Sequence, residues 1–302
     1  MKAKSSSRPT VAHRITYATF RLLEYSLRLL PLKAVWHIGG ISGRMAFYLM
    51  PERRRIVIRN LRIAFGKEKK ICDISTLAKE TFRRTGANLL CGVVSAGMTT
   101  EALRKHVEFT GLEHIEKLQQ ENKGAILLLA HMGNWELFSR TPRLIDHFPS
   151  LGTLYRPLDN PLFEKLVKRR RQKYAVKAFS KHEGFFKPTA HLRAGGLLGV
   201  IADQNARQHG LTLPFFGKPR SMSHLPALLH RRSGAPIVRI TMRTLAPAQW
   251  QITVDAPWSA AMDERNDTRK ITEHTTRLYE TIFQSSPSDI FWMHRYWRIS
   301  QK

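Results

Sequence analysis

The stretch that most constrains the fold is residues 124–136, Gly-Ala-Ile-Leu-Leu-Leu-Ala-His-Met-Gly-Asn-Trp-Glu. Ile126 to Ala130 is an unbroken apolar run, the pattern of a strand covered on both faces. It stops at His131. Gly133 supplies a turn, and Asn134, Trp135, Glu136, Leu137 and Phe138 open a helical pattern. A strand buried on both faces needs a layer on each side, so it predicts an α/β sheet with flanking helices. It also puts a titratable ring at the carboxyl end of a buried strand, where open α/β sheets gather their sites.

The spacing of His131 and Glu136 has a geometric consequence. Five residues along one helix turn through about 500°, leaving the two side chains about 140° apart. They can meet only with the histidine in the turn and the glutamate in the first helical turn. A carboxylate on one ring nitrogen then fixes the tautomer and steadies the imidazolium, and the other nitrogen can take a proton. The expectation is a general-base dyad of His131 and Glu136. No Gly-x-Ser-x-Gly elbow is present to supply a hydrolase nucleophile.

From residue 124 onward, strand and helix patterns alternate. Strands are predicted at 151–155 and 197–202, helices at 161–174, 185–193, 225–232 and 267–284, and a strand pair at 236–243 and 250–254. Asp203 ends the second buried strand and Gln204 follows it. Arg156 leaves the strand at 151–155, just before Pro157. Strand ends in such sheets converge, so Arg156 is a candidate for binding a phosphate or an oxyanion, Asp203 and Gln204 for orienting Arg156 or His131 or binding acceptor hydroxyls, and Asn134 for an oxyanion or substrate contact.

The amino-terminal part is different. Residues 1–12 are polar and basic and are expected to be a disordered tail, without the apolar core of a cleavable signal peptide. Residues 13–31 form a basic amphipathic helix, with Arg14, Arg21 and Arg28 repeating every seven residues. Such a helix suits a membrane interface or packing on the domain's own core. Residues 34–50 are moderately apolar but interrupted by Gly39, Gly40 and Gly43, and are short of the roughly 20 residues that span a bilayer. A basic cluster at 51–55 leads into a second amphipathic helix from Ile56 to Phe65, and residues 74–97 read as a mostly buried helix. The predicted organisation is a tail over 1–12, a helical membrane-docking region over 13–100, and an α/β domain over 101–302.

The 302 residues carry 50 Lys plus Arg against 23 Asp plus Glu, a net charge of +27. Such a surface seeks polyanions. No nucleic-acid motif accompanies the charge, so a nucleic-acid partner is not expected. The densest cluster is Lys168, Arg169, Arg170 and Arg171, a candidate contact for an acidic carrier protein or anionic lipid. The two cysteines, Cys72 and Cys91, lack metal-type spacing and fit a reducing compartment.

Several blocks in order, His131–Glu136, Tyr155–Asn160, Ala202–Gln204, Pro214–Gly217, Ser233–Pro236 and Trp292–Arg295, resemble the lipid A biosynthesis (late) acyltransferases. These belong to the wider glycerolipid acyltransferases with a His-x4-Asp/Glu motif. The resemblance implies a mixed central sheet flanked by helices and assigns the catalytic dyad to His131 and Glu136. It implies transfer of a fatty acyl group from acyl carrier protein to a hydroxyl of a phosphorylated glycolipid, a lipid A precursor. No cofactor, metal or acyl-enzyme is expected. It places the chain at the cytoplasmic face of a bacterial inner membrane, peripheral or shallowly inserted. After Pro-Phe-Phe-Gly the chain departs from the family pattern with Ser221-Met222-Ser223-His224-Leu225-Pro226. A lysophospholipid, ornithine lipid or other glycolipid acceptor, with acyl-coenzyme A as donor, therefore stays open. So does a non-catalytic basic protein on anionic lipid, against which His131, Glu136, Arg156 and Asp203 argue together.

Overall fold

The computed structural model describes residues 8–155, 157–180 and 184–297. Four helices come first: α1 (Val11–Arg28), α2 (Leu32–Leu49), α3 (Pro51–Phe65) and α4 (Ile71–Ser95). Then follow α5 (Thr100–Arg104), β1 (Val107–Thr110), α6 (Glu113–Gln120), β2 (Ala125–Leu129), a 3-10 turn (Trp135–Arg140), α7 (Thr141–Leu144), β3 (Leu151–Tyr155), α8 (Pro161–Lys173) and β4 (Val176–Ser180). The chain continues with α9 (Phe186–Arg193), β5 (Leu197–Ile201), the hairpin β6 (Leu211–Phe215) and β7 (Lys218–Met222), and α10 (Leu225–Ser233). It closes with β8 (Ile237–Ala246), β9 (Gln249–Val254) and α11 (Thr268–Ser285).

Seven strands make one mixed sheet in the order β1-β9-β8-β2-β5-β3-β4. Only β8 and β9 run antiparallel; the remaining neighbours are parallel. β2 lies in the middle and all five of its residues are buried, as an unbroken apolar run requires. Its parallel neighbour β5 is held in the register Leu129 opposite Ile201. The carboxyl ends of the two strands therefore finish side by side.

The glycines of 34–50 do not break the helix; α2 runs on to Leu49. They let α2 and α4 cross in backbone contact. A Cβ at Gly43 would come within 2.2 Å of the Phe82 carbonyl oxygen, and one at Gly86 within 2.3 Å of the Gly39 carbonyl oxygen. The helices also join the sheet. Trp36 packs edge-on to Trp250 of β9, and the Trp250 indole N–H donates to Asn88 of α4 at 2.7 Å. Buried apolar side chains form one cluster from Leu27 to Trp297. Among the described residues no helix is long and apolar enough to cross a membrane.

The expected tail is shorter than residues 1–12. Thr10 caps α1 and the helix begins at Val11, while residues 1–7 lie outside the described residues. The arginine stripe of α1 has an inward purpose: Glu24 is buried and takes ion pairs from Arg21, Arg28 and, across to α8, Arg170.

Candidate active site

His131 lies two residues beyond the end of β2, and Asp203 two residues beyond the end of β5. The parallel register that pairs Leu129 with Ile201 carries on past the strands and brings these side chains together. Nδ1 of His131 is 2.6 Å from Asp203 Oδ1, and the His131 amide donates to Asp203 Oδ2 at 3.2 Å. The Asp203 side chain is wholly buried and that of His131 is 24% exposed. One partner is thus sealed in the protein and the other opens to the surface.

The carboxylate is densely served. Tyr296 donates its hydroxyl to Oδ2 at 3.1 Å, and the Arg220 guanidinium donates to the Asp203 carbonyl. Burial alone would raise the Asp203 carboxyl. The His131 ring, its hydrogen bonds and Arg220 outweigh that and hold it below the ordinary range. Asp203 is therefore an anion, and an anion only accepts, so Nδ1 of His131 carries the hydrogen. In the neutral ring the lone pair is then on Nε2. Burial pulls Arg220 down to about 10, still protonated at neutral pH.

The carboxyl-terminal segment closes the site. Phe291 donates its amide to the His131 carbonyl at 2.9 Å, and Gly133, at φ +55°, donates to the Asp289 carbonyl at 2.9 Å. Trp135 stands edge-on to the His131 ring at 5.4 Å and to Phe291 at 5.8 Å. The Asn205 amide donates to His294 Nε2 at 3.2 Å, fixing the loop after Asp203. Burial pushes His294 down to about 4, so it is a neutral acceptor at neutral pH. Asn60 of α3 holds the same segment, donating to the Trp292 and His294 carbonyls at 2.8 and 2.7 Å.

The expected pairing of His131 with Glu136 is corrected by this arrangement. The carboxylate on the ring is Asp203. After Gly133 the chain enters a 3-10 turn rather than an α-helix, and Glu136 in its first turn points outward and is exposed. Its influence falls on Arg171: burial lowers that guanidinium and the Glu136 carboxylate opposes the shift. Asn134 is corrected as well. It is buried against α4, where its amide donates to Ser95 Oγ at 3.3 Å, and it does not face the ring as an oxyanion donor would. Gln204 follows Asp203, half-buried at the mouth. Arg156 lies outside the described residues.

The basic run on α8 is not a solvated, free face. Arg170 is committed to buried Glu24, Lys168 sits 3.2 Å from Glu164, and Arg171 stacks 4.7 Å over the Tyr155 ring. Only Arg169 of the four is exposed without one of these attachments. Tyr296, Arg220 and His294 were not picked out for this role from sequence. His294 lies in the recognised terminal block and Tyr296 follows it directly, but their direction toward Asp203 depends on a chain reversal that no local pattern announces.

A mixed α/β sheet thus brings a histidine–aspartate pair to its carboxyl edge under an aromatic rim. The chain matches the sequence model of the bacterial lipid A biosynthesis acyltransferases over residues 4–299. It belongs to that family and is an O-acyltransferase. It is 24% identical over 272 residues to the lipid A biosynthesis lauroyltransferase of Escherichia coli, covering 88% of this chain and 86% of that one. It is 23% identical over 269 residues to the palmitoleoyltransferase of the same organism, covering 88% and 85%. A shorter likeness, 26% over 152 residues and 42% of this chain against 41% of the other, joins it to a phosphatidylinositol mannoside acyltransferase of Mycobacterium tuberculosis.

Proposed function

We propose that this acyltransferase moves a fatty acyl group from acyl carrier protein to a hydroxyl of a lipid A precursor, with His131 as base. The observation that carries the reading is the 2.6 Å contact between His131 Nδ1 and buried Asp203. Asp203 holds the ring by Nδ1–H and stabilises the imidazolium as it forms. Nε2 takes the acceptor's hydroxyl proton while that oxygen attacks the thioester carbonyl carbon. The tetrahedral oxyanion collapses, the C–S bond breaks, and the imidazolium returns its proton to the departing thiolate. Every proton taken is given back, so His131 ends neutral. Glu136 acts near Arg171 on the acceptor, and Arg156, next in sequence after β3, binds a phosphate or the oxyanion.

Attachment to the cytoplasmic face of the inner membrane is part of the same proposal. Of the 20 large apolar residues exposed among the described residues, 13 fall from Val11 to Met50. They include Leu22, Leu23, Leu29 and Leu30 on and just after α1, and Ile41, Met45, Tyr48 and Leu49 on α2. A face of that kind suits shallow insertion among lipid headgroups rather than a span. The test supplies membranes carrying the wild-type chain with acyl carrier protein bearing a fatty acid and a tetra-acylated precursor, and weighs the product. One added acyl mass is expected. No added mass on the precursor, but one on a lysophospholipid or a mannosylated lipid, moves the acceptor.

A further inference from the structure

Two basic surfaces compete for the donor. On α8 three of the four cations are held by Glu24, Glu164 and Tyr155, which leaves Arg169. The stripe on α3 is not held in this way. Arg55, Arg59 and Arg62 recur at steps of four and three, so they share one helical face. All three are exposed, and no carboxylate pairs with them among the described residues. They line a cleft of about 1360 Å³, with Lys67 and Lys69 beyond the helix and Lys218 at the start of β7. The two acids in that cleft, Glu68 and Glu280, the latter accepting the Phe216 amide, face seven cations of its lining.

The stripe is wired to the site. Asn60, between Arg59 and Leu61, carries the Trp292 and His294 carbonyls, and Arg53 donates to the Met293 carbonyl at 3.2 Å. His294 in turn anchors the loop after Asp203. Nor does the stripe have the make-up of a membrane face. Over residues 51–70 no large apolar side chain is exposed among the described residues, and of the cleft's lining only Ile71, past the helix, is an exposed large apolar residue, whereas inserting surfaces interleave apolar residues with their cations. Its three arginines are spread over about 10 Å of the helix rather than converging on one point as a phosphate pocket demands. Spread, unpaired charge beside a reacting centre suits an acidic protein surface.

Resting on the carrier-borne donor proposed above, we infer that the α3 face of Arg55, Arg59 and Arg62 is the docking surface for the acyl carrier protein. The experiment reverses charge in R59E/R62E and measures steady-state transfer by the full chain. KM for acyl carrier protein rises at least tenfold and loses much of its dependence on salt. KM for the glycolipid acceptor and turnover with acyl-pantetheine, which lacks the carrier, change less than twofold. A circular dichroism melt close to wild type separates docking from folding. A rise in acceptor KM, or lost binding to anionic vesicles with carrier KM unmoved, assigns the face to lipid and overturns the inference. So does a larger carrier effect from K168E/R169E on α8. Wild-type turnover with acyl-coenzyme A but none with acyl carrier protein overturns the donor reading itself, and is told apart because the wild type then gives no carrier signal.

Discussion

Glu136 follows His131 by five residues, Asp203 by 72. The distant one holds the ring. The difference lies in how each is carried. Glu136 rides on a short 3-10 turn whose first residues roll outward after Gly133, so its carboxylate ends in solvent near Arg171. Asp203 rides on a strand locked beside the strand that bears His131, and a parallel ladder transmits register without regard to distance along the chain. The two basic helices repeat the lesson. The dense run on α8 is consumed by Glu24, Glu164 and Tyr155, while the sparser stripe on α3 remains available. Nearness and density in sequence mark candidates; tertiary placement decides among them.

The largest expected effect is loss of the base. His131→Ala lowers the rate of acyl transfer by about a thousandfold, read as product mass in single turnover. The same background sharpens the contrast between the carboxylates. Asp203 acts through the ring, so adding Asp203→Asn to His131→Ala costs little more, whereas a residue with an independent role would add its own loss.

Stability separates the two acids next. Asp203→Ala strands the His131 amide and the Tyr296 hydroxyl and deprives buried Arg220 of a nearby anion. A loss of about 3–5 kcal/mol is expected in urea unfolding. Glu136→Ala, on an exposed carboxylate, should stay within about 0.5 kcal/mol. Equal losses would break the comparison.

Acid provides a third, smaller lever. His294 and His274 are both pushed down to about 4 by burial, His274 face to face with Trp258 at 3.7 Å. Unfolded, they titrate near 6.5. Between those values the unfolded chain binds more protons, so stability is full above about pH 6.5 and drains as pH falls toward 4. From pH 7 to pH 5 roughly 2 kcal/mol should be lost, after allowance for partial solvent access. His294 accepts from Asn205 beside Asp203, so replacing it with glutamine should remove part of that slope in a pH series of melts. A slope unchanged by the substitution would detach His294 from the Asp203 side.

Much of the sheet was legible. β2 and β5 are continuous apolar runs, β3, β8 and β9 have clear bounds, and the β8–β9 pairing was expected. The strand β4 was not seen because Val176–Ser180 lies at the sheet edge, where Lys177 and Ala178 face solvent and blur the pattern. The β6–β7 hairpin was missed because its two-residue turn puts Phe216 at φ +51° ahead of Gly217, where asparagine or glycine would have announced it. The glycines of α2 suggested interruption when two of them, Gly39 and Gly43, serve a close crossing with α4. At the site, His131 and Asp203 were both singled out as strand-end residues, but their pairing required the register of β2 with β5, which no single stretch encodes.

The most direct test compares two near-isosteric changes in one assay. Asp203→Asn and Glu136→Gln are each given saturating acyl carrier protein donor and tetra-acylated acceptor, and kcat is read from the rate of product mass. Asp203→Asn should fall by about a hundredfold or more, since the ring loses the anion that fixes its tautomer and steadies its charge. Glu136→Gln should keep kcat within about tenfold and show its effect in acceptor KM. The reverse order, with Glu136→Gln abolishing turnover and Asp203→Asn sparing it, would contradict the account.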